Sequence, residues 1–165
     1  MSKLYEAVMG LVVADALGVP VEFEPRDSYQ VTEMTGYGTY RQLPGTWSDD
    51  SSMTLATLES FKRKGCVDPA DIMRNFFLWL FENRFTARDY VFDVGNACRK
   101  AIWTYGQGVA PEDCGGTGER DNGNGALMRM LPRRNRPCRQ SRRRPRRSRW
   151  FCVRRGSASA RRKSD

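Results

Sequence analysis

The chain has no histidine, and its five cysteines (Cys66, Cys98, Cys114, Cys138 and Cys152) form no C-x-x-C pair. A Cys/His zinc site of ordinary spacing is therefore excluded. Met1 is followed by a helical pattern, without the charged and apolar regions of a secretory leader. With the odd, scattered cysteines, this reads as a reduced, cytoplasmic protein. Long apolar runs are also scarce. The richest, M-G-L-V-V-A-D-A-L-G-V-P-V (9–21), is broken by Asp15, Gly18 and Pro20. On this reading it is too short to span a bilayer, so no membrane association is expected. No stretch alternates with period two for long enough to mark a strand. These absences leave an all-α chain.

Its helices carry end signals. Ser2 caps a first helix that is apolar on most sides from Leu4 to Leu17, a pattern expected of a buried helix. Gly18 and Pro20 are expected to end it. A second helix is expected from about Ser51 to Lys64, closed by Gly65. A third starts at Asp68-Pro69, a cap followed by proline at the first helical position, with Ile72, Phe76, Trp79 and Leu80 on its core face. A fourth covers roughly Val94 to Tyr105. Between Val21 and Trp47 the pattern is irregular, and a glycine-rich loop (106–125) precedes a short apolar segment, Ala126 to Leu131.

Charge divides the chain in two. Residues 1–132 hold 13 Lys/Arg and 18 Asp/Glu, a net −5, whereas residues 133–165 hold 15 Lys/Arg and one Asp, a net +14. Cations at that density repel one another and build no core, so the Arg-rich tail is expected to be disordered. One reading of it is a nucleic-acid-binding arm with Trp150 and Phe151 as stacking residues. The other, favoured because the change is so abrupt, is GC-rich coding DNA read out of frame. Nucleic acid is thus a partner only through the tail.

Several acids stand in places that need explanation. Asp15 lies within the first helix and Glu22 just after it, in V-P-V-E-F. A buried carboxylate needs a donor, a cation or a metal. Ser48, Asp49 and Asp50 stand at the start of the second helix in G-T-W-S-D-D-S-S-M. The helix dipole explains one of the aspartates as a cap but not both, because adjacent carboxylates repel. Hard oxygen ligands of this kind suit Mg²⁺ or Mn²⁺, and a solvated neighbour to a cap is the plainer alternative. Asp93, in F-D-V-G-N-A-C-R, is either a cap for the fourth helix or a functional acid. Gly123 and Asn124, in D-N-G-N-G-A-L-M-R, form either a simple Asn-Gly turn or a cradle for an anion or sugar hydroxyl.

Taken in order, G-L-V-V-A-D-A-L-G-V-P-V-E, G-T-W-S-D-D-S-S-M, D-V-G-N-A-C-R-K-A and G-N-G-A-L-M-R resemble the ADP-ribosylglycohydrolase family. The likeness is to its dinitrogenase reductase-activating members and covers nearly all of residues 4–132. It implies an all-α domain with two Mg²⁺ (or Mn²⁺) ions in a cleft. It also implies hydrolysis of the N- or O-glycosidic bond between ADP-ribose and an acceptor such as protein arginine. The partner would be an ADP-ribosylated protein or a small molecule containing ADP-ribose. By motif, Glu22, Ser48, Asp49 and Asp50 correspond to metal ligands, with serine where threonine is commoner. Asp49 and Asp93 correspond to catalytic acids, Gly123 and Asn124 to the loop that holds ADP-ribose, and Asp15 to a supporting residue. A family member would carry a second acidic triplet, D-x-D-T-like, near its C-terminus. No such triplet follows residue 50 here. The likeness is therefore to the N-terminal half of the family, and weak Mg²⁺ binding with little or no turnover is expected. A non-catalytic binding module of the same fold is the alternative.

Overall fold

A computed structural model describes residues 2–118, 121, 125 and 128. The Arg-rich tail, the segment Ala126 to Leu131 apart from Met128, and both Gly123 and Asn124 lie outside the described residues. Among those described there are helices and no strands, with an isolated antiparallel bridge between Tyr37 and Gln42. The helices are α1 (Lys3–Gly18), α2 (Asp49–Lys64), α3 (Pro69–Glu82) and α4 (Asn96–Gly106), with short 3-10 turns at Val19–Val21, Gly38–Tyr40 and Pro111–Asp113.

The helix ends follow local chemistry. Ser2 Oγ accepts the Tyr5 N–H at the start of α1, and Asp68 accepts those of Ala70 and Asp71 at the start of α3. Gly65 closes α2 with a φ of 68°, a left-handed geometry that glycine adopts without steric cost. Gly18 does not end α1 in that way: it stays right-handed, and the helix tightens into the Val19–Val21 turn. Proline is tolerated there because the first residues of a helical turn need no N–H partner.

The core lies where α2, α3 and α4 meet, around Met53, Ala56, Met73, Phe76, Trp79, Ala101 and Ile102. Helix α2 is central, and much of its buried surface is small and hydroxylated: Ser51, Ser52, Thr54, Thr57 and Ser60. Two of these hydroxyls donate to carbonyls one turn back, Ser52 to Ser48 and Thr57 to Met53. Such a face lets neighbouring helices approach closely, with some of its hydroxyls satisfied by the helix itself and the buried Ser51 hydroxyl left without a partner among the described residues.

Helix α1 departs from expectation. Only Ala16 is buried, while Leu4, Tyr5, Met9 and Val13 are each more than 40% exposed. Apolar residues on all sides show what a helix can bury, not what covers it. The continuous segment Lys3–Val21 is, by length and composition, apolar enough to cross a bilayer, so the expectation that Gly18 and Pro20 cut it too short is corrected. Its Asp15 is nevertheless committed to the start of α2.

Candidate functional site

Asp15 answers the capping question raised by the paired aspartates. Its carboxylate accepts hydrogen bonds from the Ser48 N–H (3.1 Å), the Ser48 hydroxyl (2.6 Å) and the Ser51 N–H (3.0 Å). The first turn of α2 is thus capped from outside by an acid on α1, with Ser48 as the N-cap residue. Asp49 and Asp50 are not needed as caps. Their side chains face a cleft of about 1610 Å³, which Glu22 and Asp93 also line.

Asp93 is not a cap either. Gly95 is the N-cap of α4 and no side chain bonds there. The Asp93 carboxylate instead accepts the Tyr40 hydroxyl at 2.6 Å. Its backbone is left-handed, with φ 49°, a conformation aspartate tolerates better than most residues. Loop contacts hold this arrangement. Tyr90 donates to Gln42, Arg88 to Thr46 and to the Pro44 carbonyl, and Trp47 to the Phe85 carbonyl. Segments 37–47 and 84–95 are thereby joined to each other next to Asp93.

The electrostatics are one-sided. Among the described residues, no lysine or arginine lies within ion-pair distance of Glu22, Asp49, Asp50 or Asp93. Lys100 lines the same cleft without pairing to them. Burial, then contact with Asp93 and the charges of Asp50 and Asp15, push Glu22 up to about 7. Burial and the charges of Asp93 and Asp50 push Asp49 to about 7, against an opposing N–H from Gly95. Asp50 is raised by burial and by Asp15 and Asp93. Three raised carboxyls gathered in one cleft beside Asp93, with no cationic partner among the described residues, mark a place suited to a positive charge.

The donors suit a hard divalent cation: carboxylates plus the Ser48 hydroxyl, whose proton is already given to Asp15 and whose oxygen keeps a lone pair. Among the described residues, no three acidic or thiol side chains converge closely enough to ligate one ion. An ion here would therefore rest on fewer protein ligands and retain water, as Mg²⁺ commonly does.

The sequence of this site also matches known proteins. A family model described as ADP-ribosylglycohydrolase matches residues 1–139. The chain belongs to the ADP-ribosylglycohydrolase family. Among similar proteins is the ADP-ribosyl-[dinitrogen reductase] glycohydrolase of Rhodospirillum rubrum, 42% identical over 134 residues, covering 76% of this chain and 42% of that protein. An ADP-ribosylarginine hydrolase of Serratia proteamaculans is 34% identical over 132 residues, covering 80% of this chain and 36% of that protein. A solved structure titled ADP-ribosylglycohydrolase-related protein complex aligns with a TM-score of 0.62 at 36% identity, covering 78% of this chain and 40% of that one. The all-α glycohydrolase fold is thus shown. The chain spans about two fifths of the length of the relatives it matches.

Of the residues singled out from sequence, Asp15, Glu22, Ser48, Asp49, Asp50 and Asp93 come together on one cleft. Gly123 and Asn124 lie outside the described residues. Sequence reasoning misses Tyr40. It lies in an irregular loop, 53 residues from the acid it contacts, and no periodicity or spacing marks it.

Proposed function

We propose that this chain carries the divalent-metal part of a glycohydrolase centre that cleaves the bond between ADP-ribose and an arginine side chain. The observation that carries the reading is the set of four cleft acids without a cationic partner, in a member of this family. The names of the relatives supply the substrate class.

Ser48, Asp49, Asp50 and Glu22 would hold Mg²⁺ or Mn²⁺ between them, with no more than two of the acids on any one ion. When bound, the metal supplies a positive charge that orients ribose hydroxyls and acidifies water. The chain's own residues do the rest. Asp15 fixes the first turn of α2, so that the backbone carrying Asp49 and Asp50 is rigid before any ligand arrives. Asp93 presents a carboxylate to take the proton of an attacking water. Positive charge developing on the sugar ring is stabilised by the surrounding acids, as in other glycoside cleavages.

The test measures Mn²⁺ binding by electron paramagnetic resonance and, in parallel, ADP-ribose release from an ADP-ribosylated arginine peptide. Mn²⁺ binding that is lost in Asp49→Asn and Asp50→Asn, with release that requires Mn²⁺, supports the reading. Binding without release confines this chain to the ion-holding part of the site. No binding that depends on Asp49 or Asp50 overturns it.

A further inference from the structure

Tyr40 has no role in the reading above and does not itself line the cleft, yet several contacts hold it against Asp93, which does. Its backbone is anchored from two sides. Gly38, at φ 53°, lies so close to Pro20 that a Cβ there would meet the Pro20 carbonyl oxygen at 1.9 Å. The Thr39 hydroxyl donates to the Glu22 carbonyl at 2.6 Å. Its ring packs on Phe92, with centroids 5.4 Å apart, and against Phe23 at 6.2 Å. Its own carbonyl accepts the Gln42 amide at 2.9 Å. The outcome of these contacts is one directed bond, from the Tyr40 hydroxyl to Asp93 Oδ1.

We propose that Tyr40 is a positioning residue that holds Asp93 on the loop side of the cleft and so keeps its carboxylate out of the coordination of a cation at Ser48, Asp49 and Asp50. The inference rests on the metal-site reading above. A free carboxylate beside a divalent cation binds it, and an acid needed for proton transfer must be prevented from doing so. Tyrosine suits this role because its hydroxyl donates to a carboxylate, and burial among acids makes that proton hard to remove. Consistent with Asp93 being held apart, no three acids gather around a single point among the described residues.

The experiment is a Mn²⁺ titration of the full chain, followed by electron paramagnetic resonance, for wild type, Asp93→Asn, Tyr40→Phe and the double variant. Asp93→Asn is expected to leave Mn²⁺ affinity within about twofold, because Asp93 is not a ligand. Tyr40→Phe is expected to tighten Mn²⁺ on the order of tenfold, the scale of one added carboxylate ligand, and the double variant to lose that gain. Unchanged or weaker binding by a folded Tyr40→Phe overturns the proposal. So does a large loss of affinity in Asp93→Asn, which does not depend on Tyr40→Phe folding. Absence of Mn²⁺ binding in the wild type overturns the metal-site reading and this proposal together, a result distinct from either.

Discussion

Asp15 shows how one side chain can decide the meaning of others. A carboxylate bonded to Ser48 N, Ser48 Oγ and Ser51 N supplies the acceptor that the start of α2 requires. Two effects oppose each other at this position. Its negative charge raises Glu22, Asp49 and Asp50, which destabilises the site without an ion. Its hydrogen bonds are charge-assisted, and losing them strands donors in a largely buried helix start. A stranded buried donor costs about 1–3 kcal/mol and three donors depend on Asp15, whereas its charge is the weakest of the named influences on Glu22 and Asp49, so the bonds dominate. Asp15→Ala is therefore expected to destabilise the chain by about 2–3 kcal/mol in urea unfolding. Asp15→Asn, which keeps one acceptor oxygen and removes the charge, is expected to lose less. Equal or greater stability in Asp15→Ala would show that repulsion outweighs capping.

At the scale of elements, legibility follows locality. Ser2, Asp68-Pro69 and Gly65 mark helix ends because a cap is an exchange between neighbouring residues. The paired aspartates are visible as a site for the same reason, being adjacent at a helix start. What stays hidden depends on distant partners: Asp15 reaching α2 from α1, Tyr40 reaching Asp93, and the contacts joining 37–47 to 84–95. The exposure of α1 is hidden too, since apolar residues all round say nothing about which neighbours are present. The loop that carries Tyr40 depends on Gly38, and here two glycines allow a controlled comparison. Gly38 and Gly65 both have positive φ, 53° and 68°, but a Cβ at Gly65 meets open space whereas one at Gly38 meets Pro20. Gly65→Ala is expected to cost about 1 kcal/mol, the conformational term alone. Gly38→Ala is expected to cost at least about 2 kcal/mol, because the loop must lift off Pro20 as well. Urea denaturation of the two variants checks the order. Equal losses would mean that the loop yields without resistance.

At the scale of the whole molecule, residues 1–132 carry a modest net charge of −5, but the cleft gathers acids that no described lysine or arginine pairs with. That concentration should couple folding to both protons and divalent ions. Glu22 and Asp49 both stand near 7 in the folded chain, above the ordinary carboxyl values of 4.5 and 3.8. A carboxyl with a raised folded pKa favours the folded state when protonated. Its stabilising contribution is complete below the unfolded pKa and is lost as pH rises through the folded one. Without divalent ions, the melting temperature is therefore expected to fall as pH climbs from about 4.5 to 8. Divalent ions reverse the sign of that dependence, because they bind the deprotonated acids and compete with protons for the same oxygens. The gain in melting temperature from Mn²⁺ should be negligible near about pH 5 and grow through neutrality. At an ion concentration about 100-fold above Kd it should reach roughly 2.7 kcal/mol, or on the order of 10 °C. Thermal scans at several pH values with EDTA and with Mn²⁺ measure both curves. A Mn²⁺ gain independent of pH would place the ion away from Glu22 and Asp49, because no proton would then be displaced when it binds.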